Sequence, residues 1–131
     1  MNKIVEELKK TGVFYIATVD EGGQPRVRPF GAVAELEGKV YFCTSNQKAC
    51  YAQMLAQPRT EISGMAPDGT WLRLTGRLVR DDRDEARAAF LAANENLKDM
   101  YRVGDGIFEV LYLADAACVK YSFTAEPVVI A

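Results

Sequence analysis

VFYIATVDEGGQPRVRPF, residues 13–30, reads as two strands folded back on each other. Apolar and β-branched residues fill 13–19, the turn EGGQ places Gly22 and Gly23 where the backbone must reverse, and a second extended run starts at Gln24 and continues to Leu36. Strands joined by so short a turn pair antiparallel. Side chains alternate along a strand, so Val13, Tyr15 and Ala17 leave one side and Phe14, Ile16 and Thr18 the other. Both sides are largely apolar, and both call for cover.

The rest of the chain repeats this pattern. NKIVEELKKTG, residues 2–12, is an amphipathic helix stopped at Gly12. Glu37-Gly38 turns the chain into KVYFC (39–43), a helix closed by Pro58 follows, and RTEISGM (59–65) is a strand. Ala66-Pro67-Asp68-Gly69 leads into TWLRLTGRLVR (70–80), and an acid-capped helix spans about Asp81 to Asn94. A looser stretch, ENLKDMYRVGDG (95–106), precedes the long strand IFEVLYLADAACVKYSF (107–123). About six strands joined by tight turns predict a mainly β fold, an antiparallel six-stranded barrel, closed or nearly so, with peripheral helices. The last strand is also apolar on both sides, with Phe108, Val110 and Tyr112 opposing Ile107, Leu111 and Leu113. One side fills the barrel, and the other needs a second surface, which a twofold homodimer most commonly supplies.

Composition narrows the function. The 131 residues, 49% hydrophobic, form one expected domain over residues 1–131. Apolar runs fall short of a membrane span and the first helix lacks a signal-peptide core, which predicts a cytoplasmic protein. Cys43, Cys50 and Cys118 are odd in number and lack zinc-ligand spacing, so they read as buried thiols in a reducing compartment. The chain has no histidine, which removes Ser-His-Asp and Cys-His nucleophilic sites and the usual zinc sites; an enzyme built this way leaves the chemistry to a cofactor. A net charge of −2 and a pI near 5.2 argue against a nucleic-acid binder.

One lysine stands out. In FCTSNQKACYAQM (42–54), Thr44, Ser45 and Asn46 are helix-capping residues, which puts Lys48 in the first turn of the following helix. A cation is disfavoured there by a few tenths of a kcal/mol up to roughly 1. The other two helices place acids first, whereas no Asp or Glu occurs from Val40 to Thr60. A bound anion accounts for both departures, and TSNQK offers backbone N–H groups, hydroxyls and an ammonium for a monophosphate. The plainer alternative is a capped helix with a solvated lysine. Arg26 and Arg28 share one strand face with Phe30, with Cα atoms roughly 7 Å apart, as two solvent-facing arginines or as a fork around an anion. Trp71 lies on the polar side of its strand with Arg73, Thr75 and Arg77, covering a neighbouring subunit or lying beside a flat aromatic ligand.

In order and spacing, GGQPRVRPF, GKVYFCTSNQKACYAQMLAQPRTEISG and GTWLRLTGRL resemble the pyridoxamine 5'-phosphate oxidase-like family of flavin-binding split barrels, over nearly the whole chain. The resemblance implies FMN in a cleft between two subunits of a homodimer. It implies Arg26 or Arg28, with Ser45 and Lys48, at the phosphate; Val27, Cys43 and Thr44 beside the isoalloxazine or ribityl chain; and Trp71 near the ring. The loop NLKDMYRVGDG (96–106) is a candidate for what the second subunit contributes. The C-terminal arginine- and histidine-bearing segment of the vitamin B6 oxidase has no counterpart in YSFTAEPVVIA, so the expected substrate is not pyridoxamine phosphate.

The expectation is therefore an FMN-dependent oxidoreductase that exchanges hydride or electrons with a small donor or acceptor: a nicotinamide, a quinone or a nitroaromatic compound. A non-enzymatic flavin-binding or redox-sensing module would carry the same residues. An oligonucleotide-binding barrel fits poorly with the acidic pI.

Overall fold

The computed structural model describes residues 2–131. Helix α1 (Lys3–Thr11) precedes strands β1 (Phe14–Val19), β2 (Pro25–Phe30), β3 (Ala34–Leu36) and β4 (Lys39–Ser45). Then come α2 (Ala49–Ala56), β5 (Arg59–Met65), β6 (Trp71–Asp81), α3 (Asp84–Ala93), a 3₁₀ turn (Glu95–Asp99), β7 (Phe108–Tyr121) and the short β8 (Val128–Val129). The mainly β, antiparallel architecture with helices around it is the one the turn spacing predicts. The strands form a single sheet in the order β2-β1-β5-β6-β7-β4-β3, with β8 added to β7.

Among the described residues the strands number eight rather than six, and the sheet does not close. The run 24–36 divides at Gly31-Ala32-Val33, and its halves land on opposite edges of the sheet: β2 pairs with β1, β3 with β4. Phe30 and Ala34 are four residues apart, so the chain spans at most about 14 Å between them. The sheet must therefore curl until its two edges almost meet. The gap they leave is where the candidate site lies.

Two apolar clusters cover the two faces of β4 and β7. On one face Phe14, Ile16, Phe42, Ile62, Leu74 and Leu111 pack with Val5 and Leu8 of α1 and Cys50 and Met54 of α2. On the other, Tyr41, Cys43, Phe108 and Val110 pack with Ala86, Phe90 and Leu91 of α3 and with Leu97. The second face of β7, expected to need another subunit, is thus covered by α3 within the chain. The outer face of β1 remains open, with Val13 and Tyr15 each 48% exposed.

Helix boundaries differ from expectation in two places. Helix α3 begins at Asp84, because Asp81 ends β6 and is buried: its carboxylate accepts from the Tyr41 hydroxyl at 2.7 Å and from the Arg83 guanidinium at 2.9 Å. Only Asp84 and Glu85 behave as the solvated helix start that the acidic run suggested. Helix α2 begins at Ala49, because Thr44 and Ser45 end β4 and Lys48 occupies the N-cap position, with φ −89° and ψ 145° and no capping side-chain bond. None of the described helices is long and apolar enough to cross a membrane.

Candidate functional site

The β4–α2 turn is fixed from two directions. The Ser45 hydroxyl accepts the Gln47 N–H at 3.2 Å, and Asn46 is tied to β7: its N–H donates to the Ile107 carbonyl at 2.9 Å and its amide to the Gly106 carbonyl at 2.8 Å and Glu109 Oε2 at 3.0 Å. Glu109 also accepts from Arg80 Nε at 3.0 Å and from Arg87 Nη2 at 3.1 Å. Burial alone would raise its carboxyl, but the hydrogen bonds from Arg80, Asn46 and Arg87 pull it below the ordinary range. The turn that presents Lys48 therefore rests on a charged, hydrogen-bonded base.

A cleft of about 460 Å³ opens in the gap between the sheet edges. Arg28 and Phe30 of β2, the Gly31-Ala32 crossing and Cys43 and Thr44 of β4 line it. Lys48, Ala49 and Cys50 at the start of α2, with Leu97, Met100 and Tyr101, add to the lining. Among the described residues no Asp or Glu lines it. The N–H groups of Ala49 and Cys50 have no acceptor within a helix that begins at Ala49, and they carry its positive dipole end. A larger depression of about 600 Å³ lies along α2, but Asp20 and Glu21 line it and no cation does.

Arg28 is half-buried and held by neutral groups. Its Nη2 donates to Gln53 Oε1 at 2.8 Å, its Nη1 donates to Thr18 Oγ1, and the Thr18 hydroxyl donates to the same Gln53 oxygen at 2.6 Å. Arg26, on the same strand face, is drawn away to Asp20 of the hairpin turn, Nε to Oδ2 at 3.0 Å. Burial pushes the Cys43 thiol up to about 12, partly offset by the Lys48 ammonium, so at neutral pH it is a packing group and not a thiolate. The Thr44 hydroxyl meets Cys50 Sγ at 3.4 Å. Burial also raises the Tyr101 phenol above its ordinary value.

Of the eight residues singled out in the sequence, Arg28, Cys43, Thr44 and Lys48 come together in this cleft. Ser45 is buried beneath the turn at 5% exposure. Arg26 is ion-paired at the hairpin. Val27 and Trp71 lie on the outer face of the sheet, in a shallow depression shared with Tyr15 and Arg73. There Trp71 stacks on Tyr121, with ring centroids 6.0 Å apart and planes 18° apart, and meets Phe123 at 4.8 Å. The segment 96–101 lines the cleft of its own chain, where the sequence suggested a gift from a second subunit. Sequence reasoning noted Phe30 only as a neighbour of the arginines and passed over Gln53 and Thr18 as partners of Arg28. The absence of acids around Gln53 was a hint for that residue alone.

The fold and the cleft define a β-sheet domain with a basic, carboxylate-free pocket at its split edge. The chain belongs to the pyridoxamine 5'-phosphate oxidase family, whose model matches residues 1–111. Among solved structures it is similar to a NimC/NimA family protein from Clostridium acetobutylicum, at 50% identity and a TM-score of 0.93, over 97% of this chain and 88% of that one. It is also similar to a pyridoxamine 5'-phosphate oxidase-related, FMN-binding protein from Nostoc punctiforme, at 20% identity and a TM-score of 0.69, over 93% and 80% of the two chains. A heme-binding protein from Mycobacterium smegmatis aligns at 21% identity and a TM-score of 0.74, over 99% of this chain and 59% of that one. These last two likenesses show the fold alone. None of the curated proteins compared with the chain matches it.

Proposed function

We propose that the chain is an FMN-binding oxidoreductase acting on a small molecule other than pyridoxamine phosphate. The observation that carries this is the pairing of Arg28 and Lys48 around the start of α2 in a cleft without a single acid. The donor set fits a phosphate ester: residues carrying a guanidinium, an ammonium and two helix-start N–H groups line one cleft. Phe30, Leu97, Met100 and Tyr101 give the cleft an apolar and aromatic lining suited to a flat ring, beside Cys43 and Thr44. FMN, when bound, supplies hydride or electron transfer at N5 of its ring. The chain contributes binding, orientation and positive charge; with no histidine and Cys43 held as a thiol, no side chain is assigned a proton-transfer role. Histidine, a common axial ligand of haem, is absent from the chain.

In this reading the unit is one domain over residues 1–131 acting in the cytoplasm as a homodimer. The second copy covers the outer face of β1, β2 and β6, which brings Val27 and Trp71 of one subunit toward the flavin of the other. That accounts for two site residues that lie outside the cleft of their own chain. Arg28 and Lys48 hold the phosphate, and Ser45 and Arg26 support the turn and the strand without touching it. Donor and acceptor come from the class of nicotinamides, quinones and nitroaromatic compounds.

Titration of the purified protein with FMN, followed by its visible spectrum, tests the reading; stopped-flow mixing with NADH or NADPH then tests turnover. Saturable perturbation of the flavin bands followed by bleaching is expected. A protein that leaves the FMN spectrum unchanged overturns the proposal.

A further inference from the structure

We infer that Gln53, seated on Thr18, is a positioning residue that aims Arg28 into the cleft while leaving its charge uncompensated. This rests on the reading of the cleft as a phosphate site. Six other arginines of the chain are in ion pairs: Arg26 with Asp20, Arg73 with Glu61, Arg77 with Asp115, Arg80 and Arg87 with Glu109, and Arg83 with Asp81. Among the described residues Arg28, Arg59 and Arg102 form no ion pair, and of these three Arg28 is the one whose guanidinium is held by side-chain hydrogen bonds. Two of its nitrogens are fixed, by Gln53 Oε1 at 2.8 Å and by the Thr18 hydroxyl, and neither acceptor carries charge. Because a guanidinium only donates, the amide of Gln53 must present its oxygen. The Thr18 hydroxyl donates to that same oxygen at 2.6 Å, which locks the orientation. Thr18 is 2% exposed and Gln53 sits on the second turn of α2, so the anchor is built into the strand–helix contact.

A glutamate at 53 would hold the guanidinium more strongly, through a charge-assisted bond, and would cancel the charge an anionic ligand needs. The neutral amide fixes the fork and keeps the field. The signature is an opposition between stability and ligand preference, which a residue serving structure alone does not produce.

The experiment measures FMN and riboflavin affinities side by side, by quenching of flavin fluorescence, with thermal unfolding of the flavin-free protein. Wild type is expected to prefer FMN. Gln53→Glu is expected to melt at or above the wild-type temperature, to bind riboflavin as wild type does, and to bind FMN about 10- to 100-fold more weakly. A folded Gln53→Glu protein with wild-type preference for FMN overturns the inference. If that variant does not fold, Gln53→Met decides: a several-fold loss of FMN affinity with riboflavin unmoved supports the anchor, and unchanged FMN affinity overturns it. Failure of the parent reading looks different, because Arg28→Ala would then show no loss of FMN preference, or wild type would bind neither flavin.

Discussion

Asn46 and Glu109, 63 positions apart in the chain, are joined by a hydrogen bond of 3.0 Å, and through it the turn that presents Lys48 leans on a buried carboxylate. Glu109 is 5% exposed and takes bonds from two arginines besides. Removing it leaves Arg80 and Arg87 without that partner and the turn without its base. Glu109→Ala is expected to lower stability by about 3 kcal/mol in urea titration, with Glu109→Gln losing roughly half of that. Both variants should also bind FMN more weakly. A Glu109→Ala protein of wild-type stability would contradict this role.

Asp81 ties β6 to β4 through the Tyr41 hydroxyl. The Arg83 guanidinium holds its carboxyl far below the ordinary range, and burial and Asp81 push the Tyr41 phenol up to about 12. A carboxyl depressed on folding adds stability at pH values above its unfolded pKa, and that stability is lost as pH falls through the folded one. The wild-type melting temperature should therefore decline below about pH 4. Asp81→Asn should lie lower by about 1–3 kcal/mol at pH 7 and decline less on acidification. Parallel pH profiles for the two proteins would count against the assignment.

Gly76 marks the bulge where the β6–β7 register shifts between Thr75 and Arg77. A Cβ placed there would lie 2.6 Å from Leu113 Cγ and 2.8 Å from the Ala114 carbonyl. Gly76→Ala must displace a backbone carbonyl, and the expected loss is about 1–3 kcal/mol in equilibrium unfolding. A stability change within about 0.5 kcal/mol would mean that the two strands part without strain.

The open outer face predicts self-association. Val27 is 62% exposed beside Tyr15 and Trp71. Sedimentation equilibrium should give a dimer for wild type and a folded monomer for Val27→Asp, with weakened FMN binding if the second subunit completes the site. A monomeric wild type across the micromolar range would remove that part of the proposal.

The hairpin at 13–30 and the tight turns made the antiparallel sheet legible, and the acid-free stretch 40–60 pointed to the start of α2, which lines the cleft. What stayed hidden was non-local. In QPRVRPFGAVAEL only Gly31 gives a local sign of a break, and that the two halves go to opposite sheet edges is set by their distant partners β1 and β4. Thr44 and Ser45 have the chemistry of caps, but pairing with Glu109 and Phe108 keeps them in β4, which moves Lys48 from the first turn to the cap position. Arg26 and Arg28 look equivalent at a spacing of two. Asp20 in the turn claims one, and Gln53, 25 residues away, orients the other.

The most direct test is a crystal structure grown with FMN. The account predicts a phosphate within hydrogen-bond distance of the Arg28 guanidinium, the Lys48 ammonium and the N–H groups of Ala49 or Cys50. A flavin phosphate held on the far side of α2 or on the outer face beside Trp71, with Arg28 and Lys48 untouched, would contradict it.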